Sequence, residues 1–431
     1  MNILKNGLLK TIAASEAFVK GMMFDCRTCG QCVLTNTAMV CPMSCPKGLR
    51  NGPCGGTIDE KCEVYPDKQC VWIRIYKRSN QRKEGVPILI SSPDSNLHHT
   101  SSYVNYINGV DKPTRIPLDY LELNRSEECQ TLSTLERKLK QGQFVVTCEV
   151  RAPREGDFTH MMNEARLVGK SFDAINVTAY LNGKPSLPSA LAASKLAEEG
   201  FEAISQATCR DHTKTSFVSE LLQNKMNGVH NILCLTGDSY VGTPKIKQVF
   251  DMDSSLMLYE ARHIREKSEI NFTRHTLKDP PRLFLGAAIN PFTTPSFVPI
   301  QRLKQKAAAG ADFIQTQIIL DLPVFRGFMA RVTEERLDEK LFILAGIPVI
   351  VTKNAYKMLP YIPGIKIPSE FKKRFDSTED IRKEGIAYAR EMLLEMMQME
   401  GVSGVHLMLL GSDHRVLLEV IEGIHIKNKK S

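Results

Sequence analysis

Residues 144–150 read FVVTCEV, and seven runs of similar texture follow: DAINVTAY (173–180), EAISQATC (202–209), NILCLTGD (231–238), RLFLGAAIN (282–290), DFIQTQIIL (312–320), IPVIVT (347–352) and VHLMLLG (405–411). Each is a short apolar block without strict alternation, the pattern of a strand buried on both faces. Between them lie segments of helical spacing, among them SALAASKLAEEG, KTSFVSELLQNKM, IQRLKQKAAAG and the stretch around Asp380–Glu384. Eight strand–helix units predict an α/β fold, a (β/α)8 TIM barrel over residues 131–431, with a doubly wound open sheet as the alternative. No G-x-G-x-x-G follows the first run, so a Rossmann dinucleotide site is not signalled.

In such a barrel the chemistry sits at the C-terminal ends of the strands. The polar residues there are Glu149, Thr178, Gln206, Asp238, Asn290, Gln317 and His406. Each has an ordinary reading. Glu149 could pair with Arg151, Asp238 could cap a turn after Gly237, and Gln317 could satisfy a loop. Their convergence on one rim favours function, because a polar group at the end of a buried strand is costly unless paired or used.

Outward from the barrel, the composition is that of a globular chain: 431 residues, 42% hydrophobic and 24% charged. That excludes a mainly disordered chain, a collagen-like fibre and a coiled coil. No run of about 18 apolar residues exists, so no membrane span is expected. The opening MNILKNGLLKTIAASEAFVKGMM lacks the apolar block and cleavage site of a secretory signal, and its spacing predicts an amphipathic helix over 1–24. The net charge of +8 is spread along the chain, which gives no support to nucleic-acid binding. A soluble, cytoplasmic protein is expected, with a homo-oligomer left open.

Eight of the twelve cysteines lie between Cys26 and Cys70: Cys26, Cys29, Cys32, Cys41, Cys45, Cys54, Cys62 and Cys70. In a reducing compartment such a cluster points to metal ligation rather than disulfides. The surrounding stretch is turn-rich and short of large apolar residues, so metal cross-links would hold its shape, closed by Val71, Trp72, Ile73, Ile75 and Tyr76. The expected organisation is a cysteine-rich domain at 1–78, a linker at 79–130 wrapped over the barrel, and the barrel itself. The His98-His99 pair in the linker reads as an exposed loop. C-x-x-C-x-x-C followed by Cys-Pro matches ferredoxin-type spacing, and eight thiolates suit two [4Fe-4S] clusters. Zinc takes the same four thiolates and stays open at one or both sites. Cys148, Cys209 and Cys234 lie in apolar strands as inert thiols, and Cys129 is a linker thiol with no evident role.

The strand ends, in order, resemble methylenetetrahydrofolate reductase over residues 131–425. CEVRAP carries the family's first-strand acid as Glu149, and Val177-Thr178 matches its second-strand V-T pair. Gly237-Asp238 matches its fourth-strand G-D pair, and Ala-Ala-Ile-Asn-Pro (287–291) its fifth-strand turn. Leu303-Lys304, Lys306 and Ala309-Gly310-Ala311 precede Thr316-Gln317, as in its sixth unit. Independently, C-R-T-C-G-Q-C and C-P-x-x-C-P-K-G-L-R-N-G-P-C-G-G resemble the cysteine-rich subunit or domain that accompanies this reductase in acetogens and other anaerobes.

The resemblance implies flavin-dependent reduction of 5,10-methylenetetrahydrofolate to 5-methyltetrahydrofolate, with electrons relayed through N-terminal iron–sulfur clusters. Glu149 would supply the proton that opens the methylene bridge, and Asp238 would lie between flavin and pterin. Gln317 would hold the mixed edge of the pterin, while Thr178 and Lys306 would contact the flavin and its phosphate. Three positions depart from common bacterial members: Thr236 replaces an Arg, Gln206 a His, and Asn290 an aromatic residue. These flavin-side positions, with Gly237, leave FAD and FMN both open and direct NADH use unsupported. The implied donor is a protein such as ferredoxin or a redox-complex subunit. The alternatives are a folate-binding methyltransferase barrel without flavin, and a metal-bound docking module in a larger redox complex.

Overall fold

Eight parallel strands close into a barrel in the computed structural model, which describes residues 2–82, 89–110, 115–116, 132–178, 183–240 and 246–425. They are β1 (Val145–Arg151), β2 (Ala174–Thr178), β3 (Ala203–Thr208), β4 (Asn231–Leu235), β5 (Phe284–Ile289), β6 (Phe313–Ile318), β7 (Phe342–Ile350) and β8 (Val402–Leu410). Each pairs with its neighbours in sequence, and β8 returns to β1 through pairs such as Val405 with Val146. The open-sheet alternative is thereby excluded. β7 and β8 begin earlier than their sequence patterns indicate, at Phe342 rather than 347 and at Val402 rather than 405. Phe342 and Ile343 already pair with Phe313 and Ile314 of β6, and Pro348 sits inside the strand opposite Met408. A proline usually marks a strand edge, which hides the true length of this one.

Side chains alternate along each strand, so every second residue enters the barrel. The lowest inward layer is apolar: Val145, Ala174, Ile204, Leu233, Phe284, Phe313 and Leu344. Leu135 and Leu139 join it from a short helix, Thr134–Lys140, which stoppers the N-terminal end. Two residues further along, the interior turns polar. Asn176 donates to Gln315 Oε1 at 2.8 Å across the barrel, and Thr147 meets His406 Nδ1 at 2.9 Å. A barrel plugged below and polar above can open only at the C-terminal rim.

Ahead of the barrel, helix α1 (Asn2–Phe24) forms as expected, and helix α2 (Val71–Gln81) carries the closing apolar residues. Ile73, Ile75 and Tyr76 have no exposed surface, and Trp72 donates its indole N–H to Leu49 O at 2.9 Å. They form one cluster with Val40 and with Val298 on barrel helix α3 (Phe297–Ala309). The cysteine-rich stretch therefore shares its core with the barrel. In the expected linker, Ser101 and Ser102 hydrogen-bond Glu16 of α1, and His98 and His99 are exposed. Much of that linker, including Cys129, lies outside the described residues. Among the described residues no helix is long and apolar enough to cross a membrane.

Because Trp72 is the sole tryptophan, its emission reports on this shared core. Ile73→Ala is expected to cost about 2–5 kcal/mol, read as a shift of the Trp72 emission transition to lower urea. An unchanged transition would mean that α2 is not packed as described.

Candidate active site

The third inward layer forms the rim, two residues beyond the polar layer. It presents Glu149 from β1, Thr208 from β3, Ala288 from β5, Gln317 from β6 and Met408 from β8 to one cavity of about 240 Å³. Gln206, Thr236, Gly237, Asp238, Asn290, Lys306 and His406 line the same cavity. Of the barrel residues singled out from sequence, Thr178 alone falls outside the lining; it is buried at the end of β2.

Glu149 Oε2 stands 3.7 Å from His406 Nε2, and the carboxylate side chain keeps 22% of its surface exposed. Its backbone carbonyl lies 3.1 Å from His414 Nε2. Gln317 accepts from the Ile318 amide at 3.0 Å and donates to Pro363 O at 3.3 Å. Asn290 donates to Gly55 O at 2.8 Å and Gly364 O at 2.9 Å, so its amide ties the rim to the cysteine-rich stretch. Thr236 donates to Ser254 Oγ at 3.2 Å. Asp238 faces the cavity, where crowding by protein atoms and then the Glu63 carboxylate push its carboxyl up; Lys47 and Arg210 oppose them.

The cysteine-rich stretch supplies a wall that sequence reasoning did not foresee. Pro53, Cys54, Gly55 and Gly56 line the cavity opposite the strand ends. Their N-G-P-C-G-G setting has a steric cause: Gly52 has φ +133°, and a Cβ there would lie 2.3 Å from Arg302 Nη1. Behind this wall, Lys47 and Glu63 form a buried ion pair at 2.7 Å, with side chains only 3% and 6% exposed. Lys47 also donates to Gly237 O at 3.0 Å, and Glu63 accepts the Ser239 amide at 2.7 Å. The pair thus grips both sides of Asp238. Arg210, equally unforeseen, donates to Asp238 O at 3.2 Å while its guanidinium lies 4.2 Å over the Tyr240 ring. Lys47 lies within the C-P-K-G stretch, but its role at the rim, like those of Glu63 and Arg210, is set by partners elsewhere in the chain.

None of the eight clustered cysteines forms a disulfide. Cys26, Cys29, Cys32 and Cys41 line one cavity beneath α1, and Cys45, Cys54, Cys62 and Cys70 line another beside Trp72. Among the described residues, no three or more His, Cys, Asp or Glu side chains gather as a lone metal ion would need. Cys148, Cys209 and Cys234 are fully buried in the barrel wall.

The family described as methylenetetrahydrofolate reductase matches residues 134–424, well over half of the chain and the whole barrel. The chain belongs to the methylenetetrahydrofolate reductase family. A second family, described as methylene-tetrahydrofolate reductase C terminal, matches residues 6–92, which precede the barrel here. A probable methylenetetrahydrofolate reductase (NADPH) of Caenorhabditis elegans is 27% identical over 220 residues, 49% of this chain and 30% of that protein. Methylenetetrahydrofolate reductase (NADH) 1 of Zea mays is also 27% identical, over 49% of this chain and 36% of its own length. The chain thus spans about a third of those two relatives. The 5,10-methylenetetrahydrofolate reductase of Escherichia coli is 24% identical over 62% of this chain and 86% of its own. Among solved structures, a Clostridium thermocellum protein described as binding two copies of 5-methyl-5,6,7,8-tetrahydrofolic acid superposes with a TM-score of 0.51. It is 13% identical and covers 67% of this chain and 96% of its own, a likeness of fold.

The buried Lys47–Glu63 pair is sensitive to the loss of either partner. Lys47→Met leaves Glu63 buried without its partner and is expected to cost about 3–5 kcal/mol, read by urea denaturation. Lys47→Met with Glu63→Met is expected to recover much of that loss. A harmless single variant would show that the pair does not hold the stretch to the rim.

Proposed function

We propose that the chain reduces 5,10-methylenetetrahydrofolate to 5-methyltetrahydrofolate in the barrel-mouth cavity, using a flavin. The observation carrying this reading is the convergence of Glu149, Gln206, Asp238, Gln317 and His406 on one cavity of a barrel in this family. The donor set suits a flavin phosphate, whether of FMN or FAD. Lys306 and Arg302 are buried on the cavity wall, and burial, then Arg302, bring the Lys306 ammonium down to about 7. Two adjacent buried cations are stabilised by an anion between them. A bound flavin supplies hydride.

The chain's own residues prepare the substrate. The Thr147 hydroxyl lies 3.3 Å from Val405 O and 2.9 Å from His406 Nδ1, and so orients the imidazole. His406 Nε2 faces Glu149 Oε2 at 3.7 Å, and Glu149 is read as the carrier of the proton the reaction needs. Glu149 passes that proton to the ring nitrogen that leaves the methylene bridge, which opens to an iminium cation. Asp238 lies where its carboxylate can stabilise that positive charge. Gln317 retains one amide hydrogen and one oxygen lone pair beyond its protein contacts, matching the donor–acceptor edge of a pterin.

The clustered cysteines are read as ligands of iron–sulfur centres, which supply single-electron transfer when bound; an electron-donor protein such as ferredoxin is the implied partner. Zinc is the alternative occupant, and metal analysis separates the two.

Glu149→Gln is expected to keep flavin, seen in the visible spectrum, while slowing folate reduction by about a hundredfold or more. Gln317→Ala is expected mainly to raise the KM for folate. Near-normal turnover of Glu149→Gln removes Glu149 from the proton role. A colourless chain that still binds methyltetrahydrofolate would favour the methyltransferase barrel.

A further inference from the structure

Spacing alone does not say how eight cysteines divide, nor whether Cys41 belongs with Cys45. The structure separates those two. The single 3-10 turn Pro42–Ser44 stands between them, and they face different cavities. The first cavity, about 290 Å³ beneath α1, takes Cys26, Cys29, Cys32 and Cys41. The second, about 20 Å³, takes Cys45, Cys54, Cys62 and Cys70. None of the eight lines both.

Two further features point to bound thiolates rather than idle thiols. The first is the aim of the backbone amides. The Thr28 N–H donates to Cys26 Sγ at 3.4 Å, and amides of Arg27 and Met43 point at Cys41. In the second set burial pushes the thiols of Cys45, Cys54 and Cys70 up, and it is opposed by amides of Lys47 and Leu49 aimed at Cys45, of Gly56 at Cys54, and of Trp72 and Ile73 at Cys70. A neutral thiol accepts weakly, whereas hydrogen bonds to sulfur are how a protein supports a metal-bound thiolate. The second feature is charge. Arg50 lies beside Cys29, while Lys20 beside Cys26 and Cys32 and Lys47 beside Cys54 are shared with the carboxylates of Glu16 and Glu63. A buried anionic centre needs such compensation.

We propose that the eight cysteines form two separate four-thiolate iron–sulfur sites, Cys26/Cys29/Cys32/Cys41 beneath α1 and Cys45/Cys54/Cys62/Cys70 against the barrel mouth. Neither set closes tightly about a lone ion, whereas a cubane gives each thiolate its own iron. Cys54 lines both the second cavity and the barrel-mouth cavity, so the second site is the one that borders the folate pocket. This division rests on the reading of the cysteines as metal ligands.

Iron and zinc content of anaerobically purified full chain tests it, with Trp72 emission reporting that each variant is folded. The whole chain is expected to hold about eight irons, about four per site. Cys29→Ser, Cys32→Ser and their double variant should each lose the same half of the iron. Cys62→Ser should lose the other half, and Cys29→Ser with Cys62→Ser should lose all. Unmutated protein gives a second measurement free of folding effects. After partial chelation, alkylated cysteines mapped by mass spectrometry should appear in the same two groups of four. Zinc in place of iron, or no metal, overturns the cluster reading itself. Iron that is bound but lost or alkylated across the two sets overturns the division alone.

Discussion

The Lys47–Glu63 ion pair is the contact on which the arrangement of this molecule turns. It is buried, it joins residues 16 apart in the cysteine-rich stretch, and its partners reach a strand-end loop 190 and 176 residues away. Buried pairs of this kind contribute little net stability, but removing one partner is expensive. Its effect here is geometric. Lys47 holds the carbonyl before Asp238 and Glu63 the amide after it, so the backbone at Asp238 is fixed on both sides. The Asn290 amide and the Trp72 core make the same junction at two other points.

The barrel side of the junction follows from the alternation of its strands. Three inward layers, apolar, then polar, then rim, arise from residues at i, i+2 and i+4 on successive strands. Val145, Thr147 and Glu149 show the series on β1, as Phe313, Gln315 and Gln317 do on β6. Leu135 and Leu139 close the bottom, and among the described residues Glu149, Gln317 and the glycine-rich loop at 53–56 line the mouth. The lid of the cavity and the candidate metal sites are therefore the same piece of chain.

The barrel was legible because parallel strands buried on both faces leave continuous apolar runs, and helices between them keep their spacing. The rim residues were legible for the same reason: a Glu or Gln at the end of such a run stands out. Phe342–Gly346 was not, since glycine and proline at 346 and 348 break the pattern of a strand whose pairing is set by its neighbours. Nor were Lys47, Glu63 and Arg210, whose roles come from partners far away in sequence. Asn290 shows the limit of reading a residue by its motif position. Its amide is engaged with Gly55 and Gly364, a contact that only the folded chain reveals.

That one cavity is built jointly by the barrel rim and the cysteine-rich stretch is tested most directly by amide hydrogen exchange with and without 5-methyltetrahydrofolate. Exchange should slow both at the strand ends around Glu149, Asp238 and Gln317 and in the loop at Cys54, Gly55 and Gly56. Slowing at the strand ends alone, with the loop unchanged, would contradict the shared wall; no slowing at either would contradict the cavity as the folate site.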